Sequence, residues 1–185
     1  MERIAVVIPA FNAASCIRRA VESCLLQEGV EVEIVIVDNN SSDHTREVVT
    51  TLINEYPGKI RLIEEHKQGA PAARNTGWKN CAADIIQFLD ADDELLPGKL
   101  KRQLNLIRKH KADMIIGTPL LVDGNTREVL EVWEDIWKGV AHGSHCGQTS
   151  ANLYSIHSLR EVGGWTNDIS HGQDTDLLLK LLCRG

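Results

Sequence analysis

The chain has 185 residues, 43% hydrophobic and 25% charged, the balance of an ordinary globular domain rather than a disordered, collagenous or disulfide-stapled one. Lys and Arg total 20 against 26 Asp and Glu, a formal net charge of −6, and aromatics are only 4%. That excludes a broad nucleic-acid surface and leaves little for base stacking.

No apolar run reaches the roughly 20 residues of a membrane-spanning helix. The opening residues read as a strand rather than a secretory leader. The cysteines Cys16, Cys24, Cys81, Cys146 and Cys183 lack CxxC spacing, which points to reduced thiols and a cytoplasmic setting.

In chain order, Ile4–Ile8 is a β-branched run closed by Pro9, the pattern of a buried strand. Within Ser15–Gln27, the apolar positions Ile17, Val21, Cys24 and Leu25 recur at helical spacing. Ile34–Val37 predicts a second strand, ended by the turn- and cap-forming cluster Asp38–Asp43. A helix with Val48, Val49, Leu52 and Ile53 on one face runs to Pro57-Gly58, and Ile60–Ile63 is a third strand.

Gly69-Ala70-Pro71 opens a further helix, with proline where its missing N–H costs nothing. Asp84–Leu89 predicts a fourth strand that runs straight into Asp90-Ala91-Asp92-Asp93. Pro97-Gly98 introduces a basic helix with Leu100, Leu104 and Ile107 inward, and Met114–Ile116 is a fifth strand. Alternating elements with unbroken apolar strands predict an α/β class with a mostly parallel central sheet and helices on both faces.

Beyond Thr118 the rhythm fails. Gly124-Asn125 predicts a hairpin turn, and Trp133 and Trp137, one helical turn apart, read as core packing. Asn152–Ile156 reads as a strand and Asp174–Cys183 as a leucine-rich helix. The whole of 1–185 reads as one domain, with a nucleotide-type half at 1–117 and an irregular half at 118–185.

Ligands bind beyond the carboxyl ends of strands in an open parallel sheet. Phe11 offers a flat apolar face there, and Asp38 an acceptor for a base N–H. Asp90 and Asp92 point the same way if the chain stays extended, and suit a hard divalent cation. A second reading stays open, in which Asp92-Asp93-Glu94 caps the helix starting near Pro97. Neither GxxxxGK[ST] nor GxGxxG occurs after the first strand, which sets aside P-loop kinases and dinucleotide oxidoreductases.

Taken in order, the strings VVIPAFN, EIVIVDNNSSDHT, GAPAARNTG, IQFLDADD, EVGGW and GQDTDLLLKL resemble the family-2 glycosyltransferases, from Ile4 to Leu182. The resemblance implies the GT-A fold and an inverting transfer from a nucleoside-diphosphate sugar, with UDP the expected carrier. The acceptor would be a carbohydrate, lipid-linked or protein hydroxyl, and the cofactor Mg²⁺ or Mn²⁺. It implies that Asp38 pairs with the base, while Pro9, Phe11 and Asn12 wall base and ribose. Arg74 would contact the nucleotide side of the donor, Asp90 the ribose or metal shell, and Asp92 would be the direct metal ligand. Asp174 would be the general base, and 118–185 the acceptor-side half.

This chain departs from the family pattern at three places. Asn39 stands for the second acid of an Asp-Asp pair, Asn40 for a common Gly, and Gln173 for the Glu beside the base. Gln173 motivates the alternative of a non-catalytic nucleotide-sugar-binding or assembly module. Asp176 reads as a first-turn acid favouring the helix dipole. His142, His145 and Cys146 form a weak zinc signal, better read as an acceptor-side loop. Trp165, after Gly163-Gly164, is expected near the donor sugar.

The final helix, apolar almost all round, carries the expectation of a C-terminally truncated core or of a homo-oligomer. The setting expected is the cytoplasm. Peripheral association of a full-length protein would bring it to the inner face of the membrane.

Overall fold

The computed structural model describes residues 2–142, 148–169 and 171–184. The four apolar runs of the first half form parallel strands: β1 (Arg3–Ala10), β2 (Glu31–Asp38), β3 (Ile60–Glu64) and β4 (Ile85–Phe88). β1 pairs with both β2 and β4, and β2 with β3. Successive side chains of a strand point to opposite faces. Ile4, Val6 and Ile8 therefore enter one core layer, while Ala5 and Val7 enter the other. Both faces are covered, which is why the strands are apolar throughout rather than alternating.

On the first face lie α1 (Ile17–Leu25), α2 (Thr45–Glu55) and α4 (Lys99–His110), contributing Val21, Leu52 and Leu104. On the second lies α3 (Ala70–Lys79), with Ala73 and Trp78 inward. Gly77 brings α3 tight onto the sheet, since a Cβ there would lie 2.2 Å from Val7 Cγ1.

The second half completes the same sheet. β5 (Met114–Ile115) follows α4, then a hairpin of β6 (Leu120–Asp123) and β7 (Thr126–Val129) turns at Gly124-Asn125 as expected. α5 (Ile136–Ala141) and a 3₁₀ turn, Thr149–Ala151, lead to β8 (Leu153–Ser155). β8 lies antiparallel between β4 and β5, giving the six-stranded order β3-β2-β1-β4-β8-β5. The fifth strand is thus two residues long and borders β8 rather than continuing the parallel stack. α6 (Ile156–Val162) and α7 (Gln173–Cys183) then pack on the second face through Leu159 and Leu177. Of the final leucines, Leu177 and Leu178 are buried, while Leu179, Leu181 and Leu182 are half-buried.

Trp133 and Trp137 correct the core reading. They are 43% and 54% exposed. Their spacing is not that of one helix, because α5 begins only at Ile136, and Trp133 instead stacks on His142 with ring centroids 5.1 Å apart. His145 and Cys146 lie outside the described residues. No helix among the described residues is long and apolar enough to cross a membrane.

Candidate functional site

The parallel arrangement gathers the loops after β1, β2 and β4 at one edge. Between them opens a cleft of about 480 Å³, lined in part by Pro9, Phe11, Asn12, Arg74, Asp90 and Asp92. Phe11 is exposed on its wall. Asn12 adopts φ 50° and spends its amide oxygen on the neighbouring loop, accepting from Ser42 N at 2.8 Å and Asp43 N at 3.3 Å. The loops after β1 and β2 are thereby tied together.

Asp38 does not line the cleft. It is buried, with Oδ2 accepting from Arg46 Nε at 2.7 Å and Oδ1 lacking a partner among the described residues. Asn39 faces the cleft and clamps the loop that opens α3. Its Nδ2 donates to Glu65 O and Lys67 O, both at 2.8 Å, and its Oδ1 accepts from Gly69 N at 2.7 Å. A carboxylate could not make the two donations. That is a structural reason for the amide at this position.

Arg74, from the first turns of α3, is the hub of the site. Its side chain is nearly buried, with Nη2 2.6 Å from Asp90 Oδ1 and Nη1 donating to Gln173 Oε1 at 3.3 Å. The guanidinium carbon lies 4.6 Å from the Trp165 ring centroid, a cation–π contact. Trp165 is buried beneath Arg74 and lines neither the cleft nor the hollow beside Asp174. Asn75 holds Trp165 by its backbone, accepting from Trp165 N at 3.0 Å and donating to Trp165 O at 2.8 Å.

The capping reading of the acidic run fails, because α4 starts from Gly98 with no side-chain cap. Asp90 and Asp92 face the cleft, whereas Asp93 turns toward Ser150. Burial raises Asp93 above the usual carboxylate range, and the charges of Asp90 and Asp92 add to that. No cluster of three metal-ligating side chains occurs among the described residues. Asp92, exposed at the cleft rim beside Asp90, fits a hard cation held by one or two carboxylates and completed by a phosphate ligand.

Asp174 enters from the far side, in the first turn of α7. A second hollow of about 300 Å³ is lined by Arg74, Gly172, Gln173, Asp174 and Thr175. Arg74 therefore borders both hollows. Asp174 Oδ1 accepts from Thr149 Oγ1 at 2.5 Å. Burial pushes its carboxyl up, while the Thr149 hydroxyl and the Arg74 charge pull it back down. Asp176 is not free for chemistry, being paired to Lys180 at 2.9 Å and accepting from Thr166 Oγ1 at 2.7 Å.

Sequence reasoning missed Thr149 and Ser150. They sit in a polar stretch with no motif, and only their contacts in space identify them.

The model of the Glycosyl transferase family 2 matches residues 5–160. An uncharacterised glycosyltransferase from Nostoc sp. is 35% identical over 127 residues, covering 69% of this chain and 39% of that protein. S. aureus TarS 1–349 in complex with UDP shares the fold at TM-score 0.78 and 21% identity, over 98% of this chain and 55% of that one. The mannosyltransferase PcManGT from Pyrobaculum calidifontis, in complex with GDP-Man and Mn²⁺, does so at 0.77 and 18%, over 98% and 52%. The shared architecture is the GT-A fold. The chain thus spans less than half of that curated relative and about half of each structure.

Proposed function

The chain belongs to glycosyltransferase family 2, and from that premise we propose that it moves a sugar from a nucleoside diphosphate to an acceptor hydroxyl with inversion. One observation carries the reading. Arg74 borders the cleft that contains Asp90 and Asp92 and also the hollow that contains Asp174, so a leaving-group site and a proton acceptor meet across one guanidinium.

The donor nucleotide lies along the ends of β1 and β2, with Pro9 and Phe11 against base and ribose. Asp38 Oδ1, without a partner among the described residues, is buried behind the cleft, so for it to accept an N–H from the base, uracil being the one expected, the loop after β2 has to open toward the nucleotide. Asp92, with Asp90 beside it, would hold Mg²⁺ or Mn²⁺ against the donor phosphates, and the cation supplies charge neutralisation for the departing diphosphate.

Arg74 adds a fixed, poorly hydrated positive charge on the same side. Asp174 takes the acceptor proton as the hydroxyl oxygen bonds to the anomeric carbon. The bond to the diphosphate breaks, and its electron pair leaves with the nucleotide. General-base help of this kind is worth roughly 10²–10⁴-fold. Single displacement from the face opposite the leaving group inverts the anomeric centre. A carboxyl held above the ordinary aspartate range is a stronger base once ionised, which suits Asp174 to the task.

Calorimetry with UDP, with and without Mn²⁺, tests the donor site. Asp92→Ala is expected to abolish the Mn²⁺-dependent gain in UDP affinity. Equal Mn²⁺-dependent binding by the variant would contradict the assignment. The alternative of a donor-binding module rests on Gln173, a neutral amide beside the base, and tight UDP binding with no turnover of any donor sugar would favour it.

A further inference from the structure

The middle of β4 holds an anomaly. Gln87 is 0% exposed in an otherwise apolar strand of the central sheet. A buried amide is costly unless its hydrogen bonds are made. Its Nε2 donates to Ser150 O at 3.0 Å. From α4, Gln103 Nε2 donates to Ala151 O at 2.9 Å. Lys99 Nζ donates to the amide oxygens of both glutamines, at 2.6 Å for Gln103. Two buried glutamines, their amide oxygens tied together by Lys99, thus hold the Ser150 and Ala151 carbonyls of a single turn, Thr149–Ala151.

The other side of that turn faces the chemistry. Thr149 is 1% exposed, and its hydroxyl donates to Asp174 Oδ1 at 2.5 Å. Ser150 Oγ accepts from Asp90 N at 3.1 Å. Gly117 closes against the turn, since a Cβ there would lie 2.1 Å from Ala151 O. A turn gripped from behind by its carbonyls, with its hydroxyls spent on the two halves of a site, is a jig.

We infer that Thr149 is a positioning residue for the transfer, fixing the Asp174 carboxylate, while Ser150 on the same rigid turn registers it against the donor-side strand end at Asp90. This rests on the reading of Asp174 as the base. The Thr149 hydroxyl has one proton and gives it to the carboxylate, so it favours the ionised, proton-accepting form and one rotamer of it. The charged and titratable groups otherwise facing Asp174 are Arg74 from α3, Asp90 after β4 and Tyr154 from β8. Among the described residues, none of these three groups hydrogen-bonds to Asp174.

The test compares Thr149→Val, which keeps shape and removes the hydroxyl, with Thr149→Ser, which restores it, and Asp174→Asn. Turnover of UDP-GlcNAc with Mn²⁺ is followed against pH, and the Asp174 carboxyl is titrated by carbon NMR in the free protein. Thr149→Val is expected to lower kcat by about 10–100-fold with little change in donor KM, the scale of a misplaced catalytic group. It should also move the acid limb and the NMR titration of Asp174 to higher pH, and Thr149→Ser should recover most of both.

An unchanged Asp174 titration and pH profile in Thr149→Val would overturn the inference. Full turnover by Asp174→Asn would instead overturn the base assignment, a separable outcome. If Thr149→Val does not fold, Thr149→Ala replaces it in both measurements. The NMR arm decides the inference even where this donor is not turned over.

Discussion

Lys99 is the deepest test of how the jig is built. Its stem is half-buried and its amine turns inward, with two glutamine oxygens as partners and, among the described residues, no carboxylate in its hydrogen bonds. Burial pushes its pKa down from 10.5 to about 7, with the neighbouring Cys24 a smaller influence the other way. A shift of about 3.5 units means that keeping the charge in the fold costs about 5 kcal/mol relative to the unfolded chain.

The folded pKa lies below the unfolded one, so between about pH 7 and pH 10 the unfolded chain holds a proton that the folded protein has lost. Stability then rises with pH, by about 1.4 kcal/mol per unit from this group, and gains nothing more below about pH 7. Burial also pushes the Cys24 and Cys81 thiols up to about 12, which opposes the rise where unfolded thiols ionise, above about pH 8.5.

Lys99→Met leaves those thiols in place and removes only the amine. Denaturant unfolding from pH 7 to about pH 9 should therefore show the wild type gaining roughly 2–3 kcal/mol on the variant. At neutral pH the two should be close, because the relieved amine offsets two glutamine oxygens left without a donor, at about 1–3 kcal/mol each. Parallel stability profiles for wild type and variant would refute the buried, depressed amine.

Two further outcomes follow from the hub. Arg74→Lys is expected to weaken UDP affinity about tenfold in calorimetry, because a single ammonium cannot span Asp90 and Gln173 and lie over Trp165 as the planar fork does; wild-type affinity would count against the hub. Gln173→Glu sets a second carboxylate on Arg74 in competition with Asp90 and places a like charge beside Asp174. Donor KM should rise, and the acid limb of kcat should move to higher pH; an unmoved limb would show that Gln173 does not face the base.

Much of this was legible in the sequence, for physical reasons. Continuous β-branched runs such as Ile34–Val37 can be stable only when buried on both faces, which dictates parallel strands with helices around them. Parallel strands in turn force their carboxyl ends together, so Pro9, Phe11, Asn12, Asp90 and Asp92 were bound to share one edge. Asp174 carried no such local signature and was found only through the family resemblance.

The rest depended on distant partners. Nothing near Leu153 says that β8 will insert antiparallel beside β4. Gln87 reads as an interruption in an apolar strand until its partner Ser150, 63 positions away, is in place. Asp38 looked available for a base, but Arg46, in the first turn of the next helix, claims one of its oxygens. Asn39 looked like a weakened acid and is a clamp.

The measurement that bears most directly on the central claim is donor-sugar turnover by Asp174→Asn at saturating donor, beside UDP affinity for the same protein. Burial raises the Asp174 pKa in the fold, so its charge costs stability as pH rises into the neutral range, and the amide variant should fold at least as well as the wild type. Turnover is predicted to fall by at least about 10²-fold with UDP affinity unchanged. Wild-type turnover in that variant would contradict the account.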